Sequence, residues 1–426
     1  MFSKNLQYNL LSLINITISF VFIIFLGRKF GAGDSTDIYF LSITIVGYLG
    51  ILAQCVWGAM SPYYTRLKVE DSQLAAKLYS VLLNNVILIS LAEILLYFLV
   101  TNNFRVISPE KKEFLDVFIY YLVLQSIILF NKALLNLEKH FAVFYLVDIF
   151  ITTINLIILL FFSKGDIVII AYSTIIAAIL AVIWQLYLVF FRLNYRYRLS
   201  ISQKEMPSIY RNSIKMNIGL LLYGFKDIIL VTVFTSFGSG VYSLFNYANK
   251  FSVALFQITN APIVNIYVAR LNEVVANKKF HEIKSLRRDV LVQTVLLLVI
   301  GFTVLYFILP YILGLFFKGK FSFEEIKEIQ RIFSYMAVFY FVWAISIPYS
   351  RAISIFKLFN YNLLVNFIFF TLICSAYLAF KIYSLSYVDM LLLFSFAQFA
   401  NLIFYFIKNK RFLNKKEESN ALLVQR

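Results

Sequence analysis

Apolar residues in this chain come in long, nearly unbroken runs rather than in strict alternation or narrow stripes. Residues 8–27, 37–61, 74–101, 113–136, 141–163, 167–191, 213–236, 241–268, 289–317, 328–350, 359–381 and 384–407 are each dominated by them. A helix needs about 20 apolar residues to cross about 30 Å of hydrocarbon. Barrel strands would instead alternate over about 10 residues. The pattern therefore predicts an all-α polytopic membrane protein of about twelve transmembrane helices. The first run, behind Lys4, has only the outline of a secretory signal. It is long, and Gly27-Arg28-Lys29-Phe30 follows it instead of a small-residue cleavage site, so a retained helix is expected.

Composition agrees with that reading: 61% of residues are hydrophobic and 14% charged, against about 25% charged in a soluble domain. A formal charge of +17 would suit nucleic acid, but basic residues of membrane proteins gather in cytoplasmic loops. With the N-terminus inside, the cytoplasmic segments hold roughly 26 Lys and Arg against roughly 10 outside, so both termini are expected in the cytoplasm and no nucleic-acid partner is implied. Cys55 and Cys374 lie in separate apolar runs and suggest neither a disulfide nor a metal site.

The longest polar segment, 192–212, carries Arg192, Arg196, Arg198, Lys204 and Arg211. It separates a six-helix lobe, 1–191, from a second, 213–407, with a polar tail, 408–426, to which no structure is assigned. Six spans per half make the halves parallel repeats about an axis along the membrane normal. Phe30-Gly31-Ala32-Gly33 after span one is echoed by Phe237-Gly238-Ser239-Gly240 after span seven. Outer loops such as 101–112 and 318–327 are too short for a catalytic domain. The basic run 270–288 suits anionic headgroups or plain topology.

The charges inside spans carry the candidate chemistry. Counting from the break Gly238-Ser239-Gly240, Lys226 lies roughly 16 Å down one helix and Lys250 about 15 Å down the next. An ionisable group at that depth costs at least about 2.5–3.5 kcal/mol, so it faces a partner or a wet cavity. Adjacent Lys226 and Asp227 are separated by about 100° of helix rotation, so at least one of them should find a partner elsewhere. Two readings stand: a structural Asp227–Lys250 pair, or Lys250 and Lys226 offering positive charge to an anionic, phosphate-bearing substrate.

Glu93 and Asp148, in spans three and five, are candidates for binding a coupling proton or sodium ion, or for structural pairing. Arg28 and Asp37 flank the first glycine turn as a surface pair and are gate candidates. Pro262, Pro310 and Pro348 should kink their helices. His140 and His281 fall in loops. Neither an ATP-cradling glycine loop nor a Gly-x-Ser-x-Gly nucleophile motif is present, so no cofactor is implied and energy must come from an ion gradient or the membrane potential.

Gly27-Arg-Lys-Phe-Gly-Ala-Gly-Asp-Ser-Thr-Asp-Ile-Tyr-Phe40 resembles the Arg-x-Phe-Gly-Ala-Gly-x-x-Thr-Asp-x-Phe-Phe segment of the MviN/MurJ-type lipid II flippases. Leu315-Phe-Phe-Lys-Gly-Lys-Phe-Ser-Phe323 and Pro348-Tyr-Ser-Arg-Ala352 resemble segments of the same family's second half, and residues 226–250 resemble the hairpin of Wzx-type polysaccharide flippases. Both groups belong to the multidrug/oligosaccharidyl-lipid/polysaccharide exporter superfamily. The resemblance covers residues 8–407. It implies paired six-helix lobes, alternating access, a bacterial inner-membrane location, and transport of an undecaprenyl-pyrophosphate-linked glycan among membrane lipids, with glycan polymerase machinery as a further partner. Lys250 falls where the lipid II flippases carry a cavity arginine. The first helix lacks their cationic residues and two C-terminal helices are missing, which shifts the expectation from lipid II toward another lipid-linked oligosaccharide. The competing classes are a cation-coupled drug exporter and a membrane-embedded glycan polymerase.

Overall fold

A computed structural model describes residues 2–104, 109–277, 279–317, 319–356 and 358–424; Lys278 and Lys318 of the basic segments lie outside them. Fourteen α-helices form among the described residues: α1 (Phe2–Phe30), α2 (Asp34–Trp57), α3 (Met60–Glu70), α4 (Ser72–Phe104), α5 (Pro109–Phe118), α6 (Tyr121–Leu137), α7 (Phe141–Phe161), α8 (Val168–Tyr187), α9 (Met206–Thr235), α10 (Val241–Ala276), α11 (Glu282–Phe317), α12 (Phe323–Ile355), α13 (Phe359–Tyr383) and α14 (Tyr387–Val424). Among the described residues, eleven helices are long and apolar enough to cross a membrane, and α10 makes a twelfth if its two segments, bent by 42° between Asn260 and Ile263, are one span. That break brackets position 262, one of the predicted proline kinks. The second predicted span is broken after Trp57 and continues as α3, while the fourth is broken between α5 and α6.

Contacts divide the chain into two units. The first comprises residues 1–224 with 239–243, and the second residues 225–238 with 244–426. In the first unit Tyr79 stacks on Phe130 at 5.4 Å and gives its hydroxyl proton to Asn131, so a ring from α4 and a polar handle from α6 close the core together. The segment before α9 belongs to this unit as well. Asn84 donates to the carbonyls of Arg198 and Ser200, and Ser80 accepts from the Arg198 amide. Backbone outside regular structure still needs partners, and α4 supplies them at Arg198 and Ser200, so the middle of the basic linker is tied to α4.

In the second unit α12 packs against α11, α13 and α14. Phe302 meets Phe333 at 5.3 Å, and Tyr247, Phe317 and Phe321 form an edge-on cluster. The outer surface of α11 is the reverse of a soluble helix: Val292, Leu296, Val299, Ile300 and Phe307 are all exposed, the surface that lipid tails would cover.

The polar tail was expected to lack structure, yet α14 runs on to Val424. The stretch holds neither Gly nor Pro and is rich in Lys and Leu, so nothing stops a helix already nucleated in the span.

Candidate functional site

Within the first unit the glycine turn after α1 meets the start of α10. Gly31, Gly238 and Gly240 have φ of 70°, 118° and 84°, the left-handed region that glycine enters without a Cβ penalty. At Gly240 there is no space for a Cβ either, since one would lie 3.0 Å from the backbone C and O of Ala32. This close approach delivers the first turn of α10 to Asp37. The carboxylate accepts from the Gly240 amide at 2.7 Å, the Ser243 amide at 2.7 Å and the Ser243 hydroxyl at 2.5 Å, and the Ser243 hydroxyl also lies 2.7 Å from Thr36 Oγ1. Helix N-termini leave amide donors unsatisfied and carry partial positive charge, so a carboxylate fits there as a cap supplied from another helix.

That arrangement corrects the expected surface pair. Asp37 is only 2% exposed, whereas Arg28 is exposed and makes no hydrogen bond or ion pair with a described residue. Three convergent donors outcompete one long cation in water, whose ion pair is worth little.

A second constellation lies within the second unit, around a cavity of about 300 Å³. The Lys226 ammonium sits 2.9 Å from both carboxylate oxygens of Asp227, so the structural Asp227–Lys250 pair, one of the two readings, does not form. Neighbouring Cβ atoms do diverge by about 100° around a helix, but the lysine stem has four methylenes and curls its ammonium back across that angle. Both charges therefore line one cavity. Its aromatic wall is Phe256 stacked on Trp343, with centroids 4.6 Å apart and planes 7° from parallel, and Tyr340 donates to Asn249 Oδ1 at 2.7 Å. Lys250, the next residue along α10, is exposed and makes no hydrogen bond or ion pair with a described residue.

The remaining candidates do not join these sites. Asp148 pairs with Lys132 at 2.5 Å, and the same ammonium lies 5.0 Å over the Phe144 ring. Lys132 was not anticipated, although it lies inside the fourth predicted span. It and Asp148 are equidistant along the chain from His140 in the intervening turn, a symmetry that pairs residues across a helical hairpin. Also unanticipated is a cluster in the first unit where Glu138 accepts from Tyr64 and Lys68, with Tyr195 at the Tyr64 hydroxyl. Burial and the neighbouring Glu138 charge raise the Tyr195 phenol above its ordinary value, against the lowering effect of its hydrogen bond to Tyr64.

Glu93 is 7% exposed, and neither of its carboxyl oxygens has a hydrogen-bond partner among the described residues; nor does Ser90 Oγ, one turn away on α4. A carboxylate anion buried in this way would cost several kcal/mol. Glu93→Gln keeps the shape and removes the charge, so, as a near-isosteric swap at a buried site, it is expected to cost less than about 1.5 kcal/mol. Thermal unfolding in detergent checks this: a loss of about 3 kcal/mol or more would mean that the anion has a partner worth keeping.

Comparison with known proteins places this geometry. The profile of the lipid II flippase MurJ family matches residues 26–348, while no curated protein sequence matches. Among solved structures, lipid II flippase MurJ in an inward-closed conformation superposes with a TM-score of 0.81 at 16% identity, over 95% of this chain and 87% of that one. A multidrug-resistance MATE transporter of the MOP superfamily, inward-facing, gives 0.78 at 12% identity over 96% of each chain. A MOP-superfamily transporter from Pyrococcus furiosus gives 0.68 at 12% identity, over 97% of this chain and 96% of that one. Those superpositions establish the shared fold, and the profile match over most of the chain establishes kinship. The chain is a member of the MurJ lipid II flippase family, an all-α multi-pass membrane transporter and not an enzyme.

Proposed function

We propose that this transporter moves an undecaprenyl-pyrophosphate-linked oligosaccharide from the inner to the outer leaflet of a bacterial cytoplasmic membrane by alternating access, with both termini in the cytoplasm and Lys250 holding the pyrophosphate. The observation that carries the reading is the lone ammonium of Lys250. It lies midway along the first apolar segment of α10, Val241–Asn260, and, among the described residues, has no counter-charge. A cation there costs at least about 2.5–3.5 kcal/mol, and an anionic substrate recovers that cost where a structural role would leave it unrecovered. Lys226 is less suited to the task, because Asp227 already neutralises it.

The absence of an arginine from residues 8–26 favours a lipid-linked surface oligosaccharide over lipid II itself, and places the protein upstream of glycan polymerisation. Asp37 serves as the latch of one gate, because opening on that side must strip its carboxylate from the start of α10. Glu93 is the carboxyl that fits a coupling proton. Asp148 and Asp227 are each held by a lysine, so each serves as a structural partner.

Binding tests the central residue. A single charge-assisted hydrogen bond is worth about 1.5–3 kcal/mol, so Lys250→Gln should weaken binding of undecaprenyl pyrophosphate to the purified protein by about tenfold to a hundredfold. Equal affinity in wild type and variant would remove Lys250 from the site. The fold is shared with multidrug transporters, and that alternative makes the opposite prediction in cells: Lys250→Gln would alter drug resistance and leave surface glycans intact.

A further inference from the structure

The cavity of the second unit holds chemistry that pyrophosphate does not use. Its polar wall is self-neutralised, since Lys226 spends its charge on both oxygens of Asp227. A carboxylate in the lining repels phosphate, and an acyl chain would have no use for an ion pair and two amides. The lining instead combines the stacked Phe256–Trp343 rings with Asn249, Gln257 and the half-exposed Asp227. Asn249 receives the Tyr340 proton on its oxygen, so its amide nitrogen remains a donor with no described partner. Gln257 is exposed and offers both a donor and an acceptor. An aromatic surface bordered by amide and carboxylate groups matches a pyranose, which presents aliphatic C–H bonds on its faces and hydroxyls around its edge. About 300 Å³ is at the small end of ligand pockets and suits one sugar ring rather than an oligosaccharide.

We propose that this cavity is a sugar subsite, taking the pyranose attached to the pyrophosphate of the lipid-linked substrate; this rests on the flippase reading. Asn249 and Lys250 are consecutive on α10, their Cα atoms about 3.8 Å apart. One turn of helix thus carries a sugar contact and a phosphate contact side by side, matching the order of groups in the substrate. Specificity follows from the division: Lys250 recognises what all such lipids share, and the cavity recognises the first sugar.

The test is equilibrium binding to the purified full chain in detergent, with three probes: undecaprenyl pyrophosphate, undecaprenyl-pyrophosphate N-acetylglucosamine and lipid II. At least one sugar-bearing probe should bind about tenfold more tightly than the sugar-free lipid. Trp343→Ala should erase that advantage while leaving the sugar-free affinity unchanged, and Trp343→Phe should retain most of it. Gln257→Ala, at an exposed position that the fold does not need, should reduce the advantage about threefold to fivefold. The proposal is overturned if both classes of lipid weaken alike in Trp343→Ala with Gln257→Ala silent, or if sugar gives no advantage in wild type. Because binding is read without translocation, failure of the subsite is distinguishable from failure of the flippase reading: tight, sugar-independent binding sinks the first and spares the second.

Discussion

Asp148→Ala is expected to destabilise the protein by about 3 kcal/mol. Its partner Lys132 is only 5% exposed, and removing one member of a buried pair leaves the other as an uncompensated charge, typically at a cost of about 3–5 kcal/mol. The lower end applies because the Asp148 side chain is 40% exposed and partly solvated already. The contact with Phe144 would soften the loss further, since a ring face attracts a cation by about 0.5–2 kcal/mol. Adding Lys132→Met to Asp148→Ala should restore most of the stability, because the well-packed apolar replacement has no charge to strand. Unfolding in detergent by heat or denaturant reads both variants. If the single variant keeps full stability and loses only ion-dependent transport, Asp148 is a coupling group and the structural assignment fails.

Joining Thr36 and Ser243 covalently is expected to abolish transport. Their hydroxyl oxygens are 2.7 Å apart, close enough for cysteines at both positions to reach disulfide geometry with little backbone movement. In a background with Cys55 and Cys374 replaced by Ala, Thr36→Cys/Ser243→Cys should lose nearly all transport on oxidation and recover it on reduction, while each single cysteine variant stays active in both conditions. The effect is large because a disulfide removes the open state altogether, whereas the native latch, three hydrogen bonds to a carboxylate each worth about 1.5–3 kcal/mol net of water, is reversible and can be shifted by differential binding. Unimpaired transport by the oxidised protein would show that the two turns never separate, and Asp37 would then be a structural cap.

These two cases show where sequence stops informing. The spans were legible because hydrocarbon demands about 20 apolar residues whatever the neighbours are, and loops between them stood out by polarity alone. Asp37 was legible as important but not as a cap, because its partners lie more than 200 residues away and nothing in residues 27–40 names them. The only trace was the pair of glycine turns, and the backbone contact between Ala32 and Gly240 explains why both must be tight. Lys132 was legible in principle. The burden that singled out Lys226 and Lys250 applies equally to an ammonium inside the fourth span, and the hairpin symmetry about His140 pointed to Asp148. The Lys226–Asp227 pair was misread for a different reason. Helical periodicity governs where Cβ atoms point, while the ends of long side chains are free to disregard it. Charges in the tail suggested a loose end, but helix propensity and a preceding span were enough to carry α14 onward.

A flippase for this glycan determines on which side of the membrane its substrate collects. In cells depleted of this protein and lacking any redundant transporter, the leaflet distribution of undecaprenyl-pyrophosphate-linked oligosaccharide should be measured beside wild type and Lys250→Ala. Accumulation of unpolymerised lipid-linked glycan in the cytoplasmic leaflet, with Lys250→Ala matching the depletion, is the predicted result. Normal outer-leaflet appearance under full depletion would contradict the flippase assignment for this glycan class and move the protein to export of other small molecules.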